Sequence, residues 1–366
     1  MRFICRQSQL RGKVAIPGSK SHTIRALSIA AMAGGESTIE EPLSSADTRS
    51  AVSAMQAIGA EVDSTGTLWR VNGCGGRPML RKKLIDVGNS GTTLRFLLGL
   101  CSLGTGSHIT VTGDKQIQRR PAGNLLTSLK DLGADIVSVK GNGCAPFTIR
   151  GGLRGGKTVL EATTSQYLSS LLLACPLAAG TTEITVSALN EIPYVEMTLD
   201  WLASQHIQVE HDAQLKYFRI PGVQCYRSFN KRIPADFSSA TFFLAAGALG
   251  DSSVTCTGLD FADKQADKVV VDYLRRFGAS VESQGSEVTV SSKPLKGSVF
   301  DLNQSPDALP MMAVLGCFAE GETQLRNVEH ARMKETDRIQ VMQCELEKMG
   351  ARITAVPDGL IIQESR

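Results

Sequence analysis

Apolar and polar positions along the chain form a pattern that repeats five times. In each copy, apolar residues at helical spacing lead to a short turn, Gly-Ala in four copies, and the residues that follow alternate as they do in a strand. The residues at the glycine position of the five copies are Gly59, Gly133, His206, Gly278 and Gly350. A glycine at this point predicts a left-handed cap at the end of a helix.

A second element occurs once in each repeat and consists of a small polar cluster followed by an apolar helix. The five copies are GSKSHTIRALSIAAMAGG, GNSGTTLRFLLGLCSLG, TTSQYLSSLLLACPLAAG, DFSSATFFLAAGALG and SPDALPMMAVLGCFAEG. Helices that are apolar on every side are expected inside a core, and the Ser, Asn, Thr and Asp residues before them are good N-caps. We therefore predict an α/β or α+β fold of five repeated units.

Composition narrows the class of function. The chain has 366 residues, of which 42% are hydrophobic and 20% charged, so it is long enough for two globular domains. A net charge of +3 does not favour nucleic-acid binding by bulk charge. No apolar run reaches the length of a membrane span, and the first residues lack the apolar core of a signal peptide. We expect a cytoplasmic protein with no nucleic-acid or membrane partner. We also expect a monomer, a point on which composition carries no information.

The nine cysteines and five histidines are scattered, without CxxC or another metal-ligand spacing. Several cysteines lie in apolar runs, as in LLLACPLA and AVLGCFAE. This distribution is typical of reduced, buried thiols in a cytosolic protein, and we expect no metal site.

The polar clusters at the helix starts are candidates for anion binding, since free N–H groups and the positive end of the helix dipole favour an anion there. These clusters are Lys20-Ser21, Asn89-Ser90-Gly91, Thr164-Ser165-Gln166 and Pro306-Asp307. Each could instead only cap its helix, and capping is the preferred interpretation for Ser238 and Ser239. For Lys20 we prefer anion binding, because a lysine at an N-cap opposes the helix dipole unless an anion offsets it.

Basic residues cluster near the same helix starts. Arg25 lies four residues after Ser21 and shares its helix face; the others are Arg95, Arg119 and Arg120.

The last long helix is predicted to open with the sequence KETDR. In that helix Lys334 and Arg338 would share a face, with Glu335 beside them. Glu335 is then either part of a salt-bridge network or an acid–base group, and the residues alone leave both alternatives open.

Seven segments, in order from end to end of the chain, resemble the 3-phosphoshikimate 1-carboxyvinyltransferase (EPSP synthase) family. They are PGSKSHTIRAL, DVGNSGTTLR, QRRPAGNLL, TTSQYLSSLLLA, IPYVEMTL, SPDALPM and ARMKETDRI. The resemblance implies the two-lobed enolpyruvyl transferase fold of repeated βαβαββ units, of which five of the expected six are present. It implies a first lobe at residues 19–232 and a second lobe that combines 1–18 with 233–366. Because the second lobe is then incomplete, we expect the 366-residue chain to be a poor catalyst.

The reaction that this resemblance implies is transfer of the enolpyruvyl group of phosphoenolpyruvate to the 5-hydroxyl of shikimate 3-phosphate, with release of phosphate. It is a step of the shikimate pathway of aromatic amino-acid biosynthesis, and it uses no metal or organic cofactor. The chemistry needs an acid that later becomes a base and a group that takes the hydroxyl proton.

The resemblance also assigns roles to residues of this sequence. Those implied in catalysis are Asp307, Glu335 and Lys20. Those implied in binding shikimate 3-phosphate are Lys20, Ser21, Arg25, Thr164, Ser165, Gln166, Tyr194, Asp307 and Lys334. Those implied in binding phosphoenolpyruvate are Lys20, Gly91, Arg120, Gln166 and Arg338. Two positions depart from the family pattern: Glu191 stands where a serine often contacts the substrate phosphate, and His330 stands where an asparagine is common.

Two alternatives to this function remain at the level of the sequence. The related UDP-N-acetylglucosamine enolpyruvyl transferases have a reactive loop cysteine and a Lys-Asn opening motif, whereas this sequence has Lys20-Ser21 and no cysteine in residues 112–121. The other alternative is a truncated, catalytically impaired member that only binds shikimate 3-phosphate.

Overall fold

A computed structural model describes residues 4, 6, 8–79, 81–104 and 108–365. Contacts between Cα atoms divide the chain into two compact units. The larger unit comprises Gly18–Ile233 and Met333–Glu335, and the smaller unit comprises Met1–Pro17, Pro234–Arg332 and Thr336–Arg366. Each unit has its own hydrophobic core.

Helices occupy the segments in which the sequence pattern has a helical period. The α-helices of the described residues are α1 Lys20–Met32, α2 Ala46–Ala57, α3 Gly91–Cys101, α4 Gly123–Asp131, α5 Ser165–Ala174, α6 Ile192–Ser204, α7 Phe237–Gly247, α8 Val270–Phe277, α9 Leu309–Phe318 and α10 Arg338–Glu347. Short 3₁₀ helices lie at Ile117–Arg119, Cys175–Leu177, Ala266–Val269, Pro306–Ala308 and Glu329–Met333. No helix of the described segments is both long enough and apolar enough to cross a membrane.

The strands are short and several alternate between buried and exposed positions. They are β1 Arg11–Ala15, β2 Glu36–Glu40, β3 Glu61–Asp63, β4 Leu68–Asn72, β5 Leu84–Asp86, β6 Ile109–Thr112, β7 Asp135–Ser138, β8 Phe147–Gly151, β9 Gly156–Ala162, β10 Thr182–Leu189, β11 Glu210–His211, β12 Tyr217–Ile220, β13 Asn230–Arg232, β14 Ser253–Thr257, β15 Ser280–Gln284, β16 Glu287–Ser291, β17 Val299–Asp301, β18 Glu322–Arg326, β19 Arg352–Val356 and β20 Gly359–Gln363. In β4, for example, Trp69 and Val71 are buried while their neighbours are exposed, so one face of the strand packs on the core.

The described strands form five four-stranded sheets of one topology. The orders are β13-β2-β4-β3, β5-β6-β8-β7 and β9-β10-β12-β11 in the larger unit, and β1-β14-β16-β15 and β17-β18-β20-β19 in the smaller unit. In every sheet the first pair is parallel and the other two pairs are antiparallel. In the sheets whose first strands are β5, β9 and β17, the order along the chain is βαβαββ, which confirms the α/β fold of repeated units.

Two sheets take their first strand from a distant part of the sequence. β13, at the end of the larger unit, lies parallel to β2 with Lys231 opposite Ile39. β1, near the start of the chain, lies parallel to β14 with Lys13 opposite Thr255. The segment Gly18–Ile233 of the larger unit is therefore inserted between β1 and the rest of the smaller unit.

The predicted left-handed turns are confirmed. The φ angles are +117° at Gly59, +97° at Gly133, +58° at His206, +99° at Gly278 and +93° at Gly350. The third repeat copy thus keeps the backbone conformation although it has a histidine, at a cost of roughly 1–2 kcal/mol for an L-residue.

The prediction that the five apolar helices are buried on all sides is confirmed in the larger unit and only partly correct in the smaller one. In α1 every residue from His22 to Met32 is buried. By contrast, Phe242 and Phe243 of α7 and Phe318 of α9 are 40% or more exposed. A helix that is apolar on every side has no polar stripe to mark its solvent face, so the sequence could not distinguish these positions.

Candidate functional site

The start of α1 carries the first predicted cation. The N-cap is Ser19, whose side chain accepts a hydrogen bond from the backbone N–H of His22 at 3.5 Å. Lys20 is the first helical residue and not the N-cap that the sequence suggested. Its ammonium group still belongs to the first turn, where a positive charge opposes the helix dipole.

Arg25 is buried and connects three helices of the larger unit. Its Nε donates to Thr198 Oγ1 at 2.9 Å, one Nη donates to the Tyr194 carbonyl at 2.9 Å, and the other donates to the Ser21 carbonyl at 3.1 Å. The contact with Ser21 confirms that the two residues share a helix face. Ser169 Oγ is also within 3.4 Å of this guanidinium.

The start of α3 places two guanidinium groups beside one glycine. Arg95 Nη1 donates to the Gly91 carbonyl at 3.1 Å, and Arg95 Nη2 donates to the Pro121 carbonyl at 3.2 Å. A Cβ atom on Gly91 would be 2.3 Å from Arg120 Nη1 and 2.7 Å from Arg95 Nη1. The absence of a side chain at residue 91 is therefore what lets both cations approach the helix start.

These cations lie in a dry environment. Arg95 is 2% exposed and Arg120 is 7% exposed. Burial lowers the pKa of the Arg95 guanidinium to about 10, and the nearby charge of Arg120 acts in the same direction. Both effects disfavour the charged form, so an anion near these two groups would be bound strongly.

The start of α5 is organised around Glu191. The carboxylate Oε2 accepts hydrogen bonds from Thr164 Oγ1 at 3.1 Å, from the Ser165 backbone N–H at 3.1 Å and from Ser165 Oγ at 2.8 Å. Lys334 Nζ forms an ion pair with the other oxygen, Oε1. Glu191 is 1% exposed, so this carboxylate is held by protein donors in place of water.

Gln166 links the starts of two helices, because its Nε2 donates to Thr92 Oγ1 at 3.1 Å. Thr92 follows Gly91 in the first turn of α3. The predicted residues of the α3 and α5 starts therefore belong to one neighbourhood of the larger unit.

The segment that contains Lys334 and Glu335 is not helical. The helix α10 begins at Arg338, with Asp337 as its N-cap, and the two residues lie in the bend before it. The expectation that Lys334 and Arg338 share a helix face is therefore wrong, because Asp337 accepts from the backbone N–H of Gln340 and fixes the helix start. Glu335 is exposed.

In the smaller unit the structure pairs two predicted residues. Arg338 Nη1 donates to Asp307 Oδ1 at 2.5 Å and to the Pro306 carbonyl at 3.3 Å. Asp307 lies in the 3₁₀ turn Pro306–Ala308, so α9 begins only at Leu309, and its N-cap Ala308 is not one of the polar residues that the sequence suggested. His330 is 3% exposed, in the 3₁₀ helix Glu329–Met333.

The interpretation of Ser238 and Ser239 as caps is wrong, because both serines lie within the first turn of α7, Phe237–Gly247, and another residue is its N-cap. Asp236 is the N-cap and accepts from the backbone N–H of Ser238 at 3.0 Å. Ser239 Oγ also donates to Asp236, at 3.4 Å. Within the described residues, no group of three or more His, Cys, Asp or Glu side chains is placed to hold a metal ion.

Glu191 is the residue of this site that the sequence alone did not select. The sequence identified it only as a departure from the family pattern. The structure shows that it contacts Thr164, Ser165 and Lys334, all three of which the resemblance assigns to substrate binding. The position of Glu191 directly before the helix start IPYVEM could have indicated an N-cap residue. A glutamate, however, is not a common N-cap.

The family model of EPSP synthase (3-phosphoshikimate 1-carboxyvinyltransferase) matches residues 4–366. The 3-phosphoshikimate 1-carboxyvinyltransferase of Acetivibrio thermocellus is 49% identical over 362 residues, which are 99% of this chain and 85% of that protein. The protein of the same name from Ruminiclostridium cellulolyticum is 47% identical over 98% of this chain and 85% of its own length.

The solved structures give the same result. An EPSP synthase structure from Acinetobacter baumannii matches with a TM-score of 0.79 and 27% identity, and the match covers 97% of this chain and 82% of that one. A second structure from the same organism matches with a TM-score of 0.77. With a family model that covers almost every residue and relatives close to half identical, the chain belongs to the EPSP synthase family.

Proposed function

We propose that the chain transfers the enolpyruvyl group of phosphoenolpyruvate to the 5-hydroxyl of shikimate 3-phosphate and releases phosphate. The observation that carries this proposal is 49% identity to a 3-phosphoshikimate 1-carboxyvinyltransferase over 99% of the chain. The geometry supports it, since the reaction needs sites for two anionic substrates and buried cations lie at helix starts in a protein of net charge only +3.

The proposed anion contacts follow the helix starts. Phosphoenolpyruvate is proposed to bind Lys20, Gly91, Arg120, Gln166 and Arg338. Shikimate 3-phosphate is proposed to bind Lys20, Ser21, Arg25, Thr164, Ser165, Gln166, Tyr194, Asp307 and Lys334. Arg120 fits its role because it is buried and lies beside Gly91, at the start of α3, where the N-cap Ser90 makes no side-chain capping hydrogen bond. The N–H groups of a first helical turn favour an anion.

Proton transfer is assigned to carboxylates. Protonation of the enol carbon, attack by the hydroxyl and elimination of phosphate require a group that gives a proton and later removes one. Glu335 is proposed for this exchange because it is exposed and can reach a bound substrate. Asp307 is proposed to take the hydroxyl proton, and Arg338 at 2.5 Å orients its carboxylate. Lys20 is proposed to offset the negative charge that develops.

The proposed function is tested by phosphate release from the two substrates by the purified 366-residue chain. Release should require both substrates, and Glu335→Gln should lower kcat by about 10²–10⁴-fold because the amide cannot transfer the proton. Glu329→Gln is the matched control, since it removes a charge from a nearby exposed position of the same connection and should leave kcat within about twofold. Because the second lobe is expected to be incomplete, the rate of the parent chain is expected to be low. The proposal is contradicted if the parent chain releases no phosphate above the background without protein, or if Glu335→Gln matches its parent.

We further propose that the two compact units are the two lobes of the family fold, expected at 19–232 and at 1–18 with 233–366. We propose the cytoplasm as the compartment, because the eight described cysteines are free thiols. The monomeric state is also a proposal, and light scattering of the purified chain tests it.

A further inference from the structure

We propose that Glu191 is a specificity-determining residue of the acceptor site. Its carboxylate fills the donor cluster of Thr164, Ser165 and Lys334 as an internal anion, so that the phosphate group of a substrate reaches these donors only by displacing it. This inference rests on the proposed function, because it concerns how the phosphorylated acceptor binds.

The donors of this cluster already form hydrogen bonds or an ion pair with the Glu191 carboxylate. One carboxylate oxygen takes two hydroxyls and one backbone N–H at 2.8 to 3.1 Å. The other oxygen takes the ammonium of Lys334. The side chains of Glu191 and Lys334 are 2% and 12% exposed, so water does not compete for these contacts. A phosphate group would need the same donor types, namely two hydroxyls, a helix N-terminal N–H and a lysine.

The Glu191 carboxylate and the phosphate group of a ligand repel each other, so they cannot occupy the cluster together. Lys334 brings one positive charge and Glu191 one negative charge, so this ion pair is neutral before a ligand arrives. Glu191 also interacts with the charge of Arg95. A phosphate dianion that entered with the carboxylate in place would meet a buried like charge at contact distance. The resemblance places a serine at position 191 in many relatives, and a serine would leave Lys334 and the N–H of Ser165 without an internal anion. We therefore expect that this chain gains less affinity from the 3-phosphate than a chain with serine at that position.

The experiment compares three ligands by calorimetry: shikimate 3-phosphate, shikimate and inorganic phosphate. The proteins are the parent chain, Glu191→Ser, Glu191→Gln and the control Glu196→Gln. The control removes the same charge from the same helix, α6, at a half-buried position. Circular dichroism and melting temperature establish which variants are folded, and Glu191→Gln keeps the shape of the side chain in case Glu191→Ser does not fold.

The preference for shikimate 3-phosphate over shikimate should rise at least tenfold in Glu191→Ser, which corresponds to about 1.4 kcal/mol. Glu191→Gln should give a rise of at least threefold, and Glu196→Gln none. Inorganic phosphate should bind the Ser variant more tightly than the parent. The inference is overturned if the folded Glu191 variants keep the parent's preference, or bind the phosphorylated ligand more weakly, because Glu191 would then only brace α5 and α6.

The phosphate-release assay separates the two claims. A parent chain that turns over, with variants whose phosphate preference is unchanged, overturns the role of Glu191 and leaves the proposed function intact. A parent chain that does not turn over, with a Ser variant that gains affinity for inorganic phosphate, overturns the proposed function and supports the role of Glu191.

Discussion

Gly91 and Arg120 approach so closely that a Cβ atom on residue 91 would lie 2.3 Å from Nη1 of the arginine. The guanidinium thus occupies the space that any other residue at the start of α3 would fill. Its position depends on the glycine, although the two residues are 29 positions apart in sequence.

Replacement of Gly91 by alanine should therefore raise the KM for phosphoenolpyruvate by about tenfold. The added methyl group pushes away the far end of Arg120, and misplacement of a charged group by about 1 Å is costly at a binding site. Steady-state kinetics measures the effect. Gly123→Ala is the control, because a Cβ atom there meets no atom within 4 Å. Equal KM values for the two variants would contradict the assignment of Gly91 and Arg120 to this substrate.

Lys20→Met should weaken phosphoenolpyruvate at least tenfold more than shikimate 3-phosphate. The lysine ammonium is a compact point charge at the start of α1, whereas the second ligand has further proposed contacts that remain. Fluorescence titration with each ligand gives the two affinities. Lys130→Met, at an exposed position in the last turn of α4, should change neither. Equal losses for both ligands in a folded Lys20→Met variant would count against this role.

Thr198→Val should destabilise the larger unit by about 1–3 kcal/mol, because a buried donor loses its acceptor. Thr198 Oγ1 accepts from Arg25 Nε at 2.9 Å and lies 3.0 Å from both the Tyr194 carbonyl and Ser169 Oγ. Denaturant unfolding measures the difference. Thr127→Val, on the exposed side of α4, should change stability by less than about 0.5 kcal/mol. The prediction would be contradicted if both variants showed the same small change in the free energy of unfolding.

The described thiols should fall into two classes of reactivity. Cys225 and Cys344 are exposed and should react first with a disulfide reagent, whereas Cys101 and Cys175 should react only after unfolding. Replacement of the two exposed cysteines by serine should remove the part of the fast phase that the described thiols contribute, and mass mapping assigns the labelled peptides. Labelling of Cys101 at the rate of Cys225 would show that the core opens readily.

The same buried thiols set a pH dependence of stability. Burial raises the pKa of Cys101 and of Cys175 to about 12, whereas both thiols ionise near pH 9 in the unfolded chain. Between these values the unfolded chain holds fewer protons than the folded one. The free energy of unfolding should therefore fall as the pH rises from about 9 to about 12, by about 1.4 kcal/mol per pH unit for each thiol. Urea unfolding at about pH 8 and pH 10 checks the sign.

Much of the fold could be predicted from the sequence because the pattern of one structural unit recurs five times. A pattern that recurs with Gly59, Gly133 and Gly278 at the same point has one structural meaning, and the left-handed backbone at each confirms it. The prediction of burial was wrong for Phe242, which is exposed. Its helix is apolar on every side, so the sequence pattern does not show which side faces the solvent.

The candidate site was less predictable because its contacts join residues far apart in sequence. Glu191 contacts Ser165, 26 positions away, and Lys334, 143 positions away. Spacing rules act over one or two helical turns, so they cannot show that a carboxylate fills a particular set of donors. The same limit explains why Lys334 was placed on a helix, whereas it lies in the bend before α10.

The parallel pairing of β1 with β14 has a consequence for synthesis of the chain on the ribosome. Arg11 and its partner Ser253 are 242 residues apart. At about 5–20 residues per second, β1 leaves the ribosome roughly 10–50 s before the strand that will pair with it is made. During that interval the segment Gly18–Ile233, which is all of the larger unit except Met333–Glu335, is completed. The first strand to be made is thus among the last to find its place, and its backbone donors and acceptors stay open to wrong partners for the whole of that time.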